Sequence, residues 1–347
     1  MAIPFKNEGS EGSEGSEGSE GSEGSEGSEG SEGSASSVAG LAAYSGQRTS
    51  TLLARALWTT QGEITRGIAG VGAADLTQIS LTVEKGLARW SRDVRARLYA
   101  FELLADLHFD ARSRDFAELF KLNAKFPGST GGALAINAVS VAKLDRPRYD
   151  YRPAGSAPGS APGNELEDEL GDVFKKAALR SDRLGEILSQ VVIPYPFFAM
   201  VLNLQPGRHR HIFELLAAAF NLASAAGQVF KHHFRVARPA DRTPLIDPVV
   251  QTPGHGSYPA GHATQCHIAK AVLAELFNRK AGTETFDQLE KLANRIGENR
   301  VVAGLHYPSD IAQGKVLGEA LGAHFIAMAK VNDSALKWLW AEALAEK

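Results

Sequence analysis

The sequence predicts an all-α protein built as packed helix bundles, with no significant β-sheet. Two observations support this fold class. Apolar residues recur at spacings of three and four along most of the chain, which is the pattern of amphipathic helices. Alternating Val, Ile and Thr runs joined by Asn-Gly or Asp-Gly turns, the usual sign of β-hairpins, do not occur at useful length.

The predicted helices follow one another from residue 52 to the C-terminal end of the sequence. An apolar stripe begins with Leu52, Leu53, Ala56 and Leu57, and it continues with Leu87, Trp90, Val94, Leu98, Phe101 and Leu104. The same spacing predicts helices over roughly 114–125, 165–190, 211–234, 262–280, 285–303, 308–330 and 333–345.

Two low-complexity segments flank or interrupt the helical pattern. Residues 8–34 are nine copies of Glu-Gly-Ser, and residues 155–163 read GSAPGSAPG. Such compositions bury too little apolar surface to fold. We therefore predict a disordered linker or tail over 1–34, then a single helical domain over 35–347. This domain would contain a flexible loop at 155–163 and a catalytic core at about 190–330.

Composition excludes several classes of protein. A single cysteine, Cys266, rules out a disulfide framework, and the N-terminus lacks the apolar segment of a signal peptide. The most apolar stretch, Ile212–Phe230, contains Glu214, Asn221 and Gln228, and we interpret it as a buried helix of a soluble protein. After residue 34 there are 36 basic and 31 acidic side chains, too small an excess to indicate nucleic acid. We expect a cytoplasmic protein without nucleic-acid or membrane partners.

Basic residues and histidines concentrate in three segments of the C-terminal half. Lys231 and Arg238 are seven residues apart, so on one helix they would project from the same side. Pro239 biases Arg238 out of the helical region and places it at the exit of that helix. Gly261 and His262 open the next apolar helix, whose first backbone amides can cradle an anion. With Arg300, these groups match a tetrahedral oxyanion such as phosphate or vanadate.

The third segment adds a reactive histidine. His306 stands four residues before Asp310, at the start of a helix whose first position we place at Pro308. Asp310 can therefore hold one ring nitrogen of His306 and leave the other to attack or to ligate. His262 would lie across the oxyanion as an acid or base.

Together the three segments resemble the signature of the vanadium-dependent haloperoxidase and type-2 phosphatidic acid phosphatase (PAP2) superfamily. That signature reads Lys-x6-Arg-Pro, then Pro-Ser-Gly-His, then Ser-Arg-x5-His-x3-Asp. The matching positions are Lys231, Arg238, Pro239, Pro259, Gly261, His262, Arg300, His306 and Asp310. Ala260 and Asn299 replace the two motif serines. The first change should weaken anion binding by about 1–2 kcal/mol, whereas Asn299 can still donate a hydrogen bond.

The resemblance implies an all-α enzyme and leaves its chemistry open. The segment from His255 to His262 is closest to vanadium bromoperoxidases, in which His255 would be a second active-site histidine. This implies a haloperoxidase that binds vanadate, with His306 as the axial vanadium ligand, and that oxidises bromide or iodide rather than chloride with hydrogen peroxide. A homo-oligomer is also typical of such enzymes.

Two alternatives remain. The same residues could hydrolyse phosphate monoesters without vanadate, with His306 attacking phosphorus and His262 protonating the leaving group. A catalytically impaired scaffold or assembly subunit that retains an oxyanion pocket is the second alternative, because Ala260 removes a motif serine.

Overall fold

A computed structural model of the chain describes residues 83–110, 115–124, 136–150, 165–192, 194–332 and 334–347. The Glu-Gly-Ser tract, the first part of the apolar stripe at 52–57 and the loop at 155–163 lie outside these residues. The predictions made for those segments, including the boundaries of the single domain, therefore stay predictions.

The predicted helical class is confirmed. The helices are α1 (Val83–Arg89), α2 (Arg92–Leu104), α3 (Glu165–Ala177), α4 (Arg180–Ser189), α5 (Tyr195–Leu202), α6 (Arg210–Phe234), α7 (Pro239–Arg242), α8 (Gly261–Leu276), α9 (Glu284–Val302), α10 (Pro308–Met328) and α11 (Ala335–Ala345). The helix predicted over 165–190 is divided into α3 and α4. A 3₁₀ turn, Arg148–Asp150, precedes this pair in the chain.

One segment predicted to be helical is a β-strand. A small antiparallel sheet has the order β1 (Leu107–Asp110), β2 (Phe116–Ala124), β3 (Ile136–Asp145), so the helix expected over 114–125 is wrong. Ala117 and Leu119 are buried, at the period of two that a strand requires. Apolar runs this short fit either period, and pairing with β3 decides between them.

Helix α2 turns a different face inward from the one that its apolar spacing indicates. Trp90, Val94 and Phe101 are exposed, whereas Arg95 and Tyr99 are buried. The guanidinium of Arg95 makes two 2.7 Å hydrogen bonds to the Glu214 carboxylate of α6, and the Tyr99 hydroxyl donates to the same carboxylate at 3.1 Å. A buried, fully paired ion pair therefore sets the rotation of α2.

The core is formed around α6, which packs against α2, α8 and α11, and around the close contact of α8 with α10. Three glycines at a spacing of four, Gly314, Gly318 and Gly322, line the α10 side of that contact. A Cβ atom added to any of them would lie 2.5–2.6 Å from an atom of α8 or of its N-cap residue. The absence of these side chains lets the two helices approach closely and fixes the position of their N-terminal ends.

Helix α6 ends earlier than the spacing of Lys231 and Arg238 implies. Arg235, its C-cap, is left-handed with φ of 51°, so the helix stops at Phe234. Arg238 becomes the N-cap of α7 instead. The two side chains do not share a helix face, and the prediction that they project from one side of a helix is wrong.

The segment Arg210–Arg242 is long and apolar enough to cross a membrane. Its most apolar 18-residue window has a mean hydropathy of 1.4, and 67% of that window is buried inside the protein. The expectation of a cytoplasmic protein without a membrane partner rested on the lack of any such stretch. That expectation is corrected, because this one segment meets the requirement by length and composition.

Candidate functional site

The first motif converges on the loop that precedes α8. The Lys231 ammonium, in the last turn of α6, donates to the carbonyls of Gly256 and Ser257 at 3.0 and 3.1 Å. The Nε of Arg238 donates to the His255 carbonyl at 3.1 Å. Lys231 and Arg238 are 2% and 1% exposed. Two cations from different elements are thus buried against one short loop.

Arg238 also connects this loop to the third motif. Its Nη1 donates to the Leu305 carbonyl at 3.0 Å and lies 3.4 Å from Nε2 of His306. On the other side of the ring, Nδ1 of His306 is 3.1 Å from Oδ2 of Asp310. A neutral His306 with its proton on Nδ1 therefore presents the lone pair of Nε2 towards the guanidinium.

Asp310 is a fully buried carboxylate with hydrogen bonds to both of its oxygens. Besides His306, Oδ2 accepts from the Ser257 hydroxyl and, at 3.1 Å, from the Tyr307 amide. Oδ1 accepts from the Tyr149 hydroxyl at 2.5 Å. Burial alone would raise the pKa of Asp310, but hydrogen bonds from His306, Ser257 and Tyr149 outweigh it and hold that pKa below its ordinary value. Asp310 is an anion that fixes the His306 ring.

His262 and Arg300 meet at the C-terminal end of α4. Nε2–H of His262 donates to the Gln190 carbonyl at 2.9 Å. Nη2 of Arg300 donates to the Ile187 carbonyl at 3.1 Å and lies 3.4 Å from Oε1 of Gln190. Both side chains are buried. Ser257 lies in the loop that precedes α8, and His262 lies in α8 itself. This loop therefore connects the pair of His262 and Arg300 to the hydrogen bonds around His306.

The two departures from the motif occupy different positions. Ala260 is buried at the N-cap of α8, and its amide donates to the Asp310 carbonyl at 3.1 Å. Gly261 is the first residue of α8 and is buried, as an anion cradle requires. The Asn299 amide instead donates to the side chains of Glu186 and Gln190 at 2.9 Å. Asn299 therefore contacts α4, and the expectation that it replaces the serine as a donor to the oxyanion gains no support.

His255 lies at the outer edge of the site. It is half-buried, and its Nδ1 lies 3.2 Å from Nη2 of Arg238 and 3.1 Å from the Gly256 carbonyl. The residue lines an open cavity of about 790 Å³, together with Lys231, His232 and Arg235. This cavity gives a basic, solvent-accessible approach to the buried cations.

The sequence analysis missed three residues that hold the site together: Tyr149, Gln190 and Ser257. Ser257 lies inside the second segment, two residues after His255, and a hydroxyl this close to a histidine in the sequence was the available signal. Tyr149 and Gln190 come from parts of the chain far from the motifs. Nothing in their local sequence indicates that they contact Asp310, His262 or Arg300.

A second polar cluster lies elsewhere on α8. Ring nitrogens of His267 and carboxylate oxygens of Glu290 and Glu319 lie within 4.8 Å of one another. The ammonium of Lys270 bridges the two carboxylates at 2.6 and 2.7 Å. The chain itself thus supplies the cation that these carboxylates bind.

The arrangement around His306 suits chemistry on a tetrahedral oxyanion. Buried cations are costly unless anions compensate them, and phosphate or vanadate would supply that charge to Lys231, Arg238 and Arg300. An imidazole held by a carboxylate can attack phosphorus or ligate vanadium through Nε2. These residues therefore fit either group.

Comparison with known proteins agrees with the motif analysis at the level of the superfamily. Residues 214–333 match the family model of the PAP2 superfamily, whose members are phosphatases and haloperoxidases. The chain is 35% identical over 110 residues to decaprenylphosphoryl-5-phosphoribose phosphatase of Mycolicibacterium smegmatis, which is 32% of this chain and 56% of that protein. It is also 35% identical over 118 residues to the protein of that name from Mycobacterium tuberculosis, 34% of this chain and 61% of that one. The chain thus spans less than two thirds of these relatives.

Two solved structures give partial matches to the chain. One is a bacterial vanadium-dependent iodoperoxidase, with 19% identity, a TM-score of 0.39 and coverage of 51% of each chain. The other is a transmembrane PAP2-type phosphatidylglycerolphosphate phosphatase from Bacillus subtilis, with 17% identity and a TM-score of 0.37. The match covers 46% of this chain and 84% of that one. The resemblance to the PAP2 superfamily is confirmed for residues 214–333, and the closer likeness to vanadium bromoperoxidases stays a prediction.

Proposed function

We propose that this protein is a phosphatase that hydrolyses a phosphate monoester through a phosphohistidine on Nε2 of His306. The observation that carries the proposal is the orientation of that ring. Its Nδ1 is held by Asp310, and its Nε2 is directed at the guanidinium of Arg238, where a phosphoryl group would bind. The named relatives add support, because each is a phosphatase.

The proposed reaction has two steps. Nε2 of His306 attacks phosphorus, the ester P–O bond breaks, and the departing oxygen takes a proton from His262. Because Nε2–H of His262 is bound to the Gln190 carbonyl, this proton would leave from Nδ1. Water, deprotonated by His262, then attacks the phosphohistidine and releases inorganic phosphate.

The cations and the start of α8 would stabilise the charge that develops in both steps. Lys231, Arg238 and Arg300 supply cationic groups, and the first amides of α8 add dipoles that point at the anion. Their donors now bind backbone carbonyls and the Gln190 amide oxygen, so substrate phosphate would replace some of these partners.

This proposal reverses the order that the sequence analysis favoured. The motif around His255 placed a haloperoxidase first and a phosphatase second. The curated relatives favour the phosphatase, and the residues that hold phosphate are the same ones that would hold vanadate.

A vanadate-dependent peroxidase remains a second candidate because of His255. Its ring is half-buried beside Arg238, where it can exchange protons with a molecule bound to the anion site. Bound vanadate would supply Lewis-acid activation of peroxide. His306 would bind the vanadium, and Lys231, Arg238, Gly261 and Arg300 would hold the oxyanion.

The deciding experiment compares two assays on protein prepared in phosphate-free buffer. One follows hydrolysis of para-nitrophenyl phosphate, and the other follows bromination of a phenol with peroxide after addition of orthovanadate. We expect hydrolysis. Bromination without hydrolysis would favour the peroxidase, whereas inactivity in both assays would favour the catalytically impaired scaffold.

His306→Ala tests the role of the nucleophile. We expect turnover to be abolished while phosphate binding, measured by calorimetry, persists on the remaining cations. His324→Ala is a suitable control, because His324 is a second buried histidine, in α10, whose Nε2 contacts the distant Leu103 carbonyl. Undiminished hydrolysis by His306→Ala would remove His306 from the mechanism.

A further inference from the structure

We infer that Tyr149 is a positioning residue of the active site, which acts on His306 through Asp310. The expected effect of Tyr149 on catalysis rests on the proposed function, whereas its effect on the His306 ring rests on the contacts of Asp310. Tyr149 lies in the 3₁₀ turn Arg148–Asp150, after the sheet and 161 positions before Asp310. The segment that matches the PAP2 model begins at residue 214, so this residue comes from outside it.

The Tyr149 hydroxyl completes the hydrogen bonding of the Asp310 carboxylate. Three donors meet Oδ2, namely Nδ1 of His306, the Ser257 hydroxyl and the Tyr307 amide. Among the described residues, Tyr149 is the donor to Oδ1, at 2.5 Å. A carboxylate held at one oxygen can still turn about its Cβ–Cγ bond. Holding both oxygens fixes its plane and thereby the direction in which it accepts from His306.

The surroundings of Tyr149 fix its hydroxyl in this position. The side chain is 3% exposed, and its ring lies 4.4 Å from the ring of Tyr307, centroid to centroid. The neighbouring Asp150 binds both Arg146, four residues earlier, and Arg242 of α7. These ion pairs anchor the turn to the helix that Arg238 caps. The turn and the site are therefore parts of one packed unit.

The Tyr149 hydroxyl keeps its proton, and so stays a donor, at neutral pH. Burial, and next the charge of Asp310, raise the pKa of Tyr149 well above its ordinary value. A protonated phenol against an ionised carboxylate forms a charge-assisted hydrogen bond, which is shorter and stronger than a neutral one.

Tyr149→Phe tests this role, since it removes the hydroxyl and keeps the ring that packs on Tyr307. We expect kcat for para-nitrophenyl phosphate to fall by up to about tenfold, because losing a direct partner of a reactive group costs about tenfold to a hundredfold and Tyr149 acts one contact further away. KM and the inhibition constant of inorganic phosphate should stay within about twofold, because the cations that bind phosphate are unchanged.

A second readout does not depend on activity. The proton on Nδ1 of His306 should give a downfield proton NMR signal, assigned by its loss in His306→Ala. In Tyr149→Phe we expect this signal to shift and broaden as the Asp310 carboxylate gains freedom. If the parent protein hydrolyses nothing, the proposed function fails, and this signal still decides the inference about Tyr149.

Tyr99→Phe is the matched control. Tyr99 is another buried tyrosine whose hydroxyl donates to a carboxylate, that of Glu214 in the Arg95 ion pair. Loss of the Tyr99 hydroxyl should destabilise the fold to a degree similar to loss of the Tyr149 hydroxyl, and it should leave both kcat and the His306 signal unchanged. Assays are run well below the melting temperatures of both variants. A kcat of Tyr149→Phe equal to that of Tyr99→Phe, or an unchanged His306 signal, would overturn the inference.

Discussion

Replacement of Gly318 by alanine tests the close contact of α8 with α10, which fixes the N-terminal ends of both helices. The added Cβ would lie 2.5 Å from the backbone oxygen of Thr264, 2.9 Å from Cβ of His267 and 3.1 Å from Cα of Thr264. Unstrained contacts of carbon lie at about 3.5–4.0 Å. Since the Thr264 contacts are backbone atoms, no side-chain rotation can relieve them, and the two helices must move apart.

The magnitude follows from two opposing effects. Alanine favours a helix interior over glycine by about 1 kcal/mol. Overpacking a well-packed contact costs about 1–3 kcal/mol. Gly185, an exposed glycine within α4, has no atom within 4 Å of the position of its Cβ, so Gly185→Ala gains the helical preference alone. The difference between the two variants therefore isolates the clash, and we expect Gly318→Ala to be less stable by about 2 kcal/mol.

Urea unfolding followed by circular dichroism measures this difference. Both variants carry the same chemical change in a helix, so their unfolding slopes should agree and their midpoints can be compared directly. The parent protein should lie between them or close to Gly318→Ala. Equal midpoints for Gly318→Ala and Gly185→Ala would show that α8 and α10 do not approach as closely as described.

Two further predictions concern α8. Ala260→Ser should bind orthovanadate about tenfold tighter by regaining one hydrogen bond, and its hydroxyl should also cap α8. Unchanged affinity with raised stability in calorimetry would mean that the hydroxyl serves the cap alone. Burial lowers the pKa of His267 to about 4, so the unfolded chain binds a proton there below pH 6.5 that the folded protein does not. Stability should thus fall by about 2 kcal/mol between pH 7.5 and pH 5 from this residue. In His267→Gln that part of the pH dependence should vanish, and an unchanged slope would refute the assignment.

Much of the fold and the centre of the site followed from local patterns. A helix buries one face, so its apolar spacing repeats along the sequence and predicts segments such as α8 and α10. The pairing of His306 with Asp310 was predictable because Asp310, in the first turn of α10, can reach back to a residue just before that helix.

The features that escaped prediction depend on partners distant in sequence. Strand β2 has an ambiguous pattern, and only its register with β3 makes it a strand. Helix α6 ends early because Arg235 adopts a left-handed conformation. Glycine usually occupies such a position and marks a helix end in the sequence, whereas arginine gives no such signal. The burial of Arg95 in α2 required its partner Glu214, 119 positions away. Local spacing contains no information about such pairs.

The contacts of Gln190 and Tyr149 have a consequence for how such a site can diversify. The motif residues lie between 231 and 310, whereas Gln190 supports His262 and Arg300 from α4, and Tyr149 supports Asp310 from the turn after β3. One segment of the chain thus carries the reactive groups, and an upstream segment holds them in position. A chimera that keeps residues 214–333 and exchanges the upstream layer would retain every motif residue and still change how firmly they are held. Rate and selectivity would then differ between proteins whose signatures are identical.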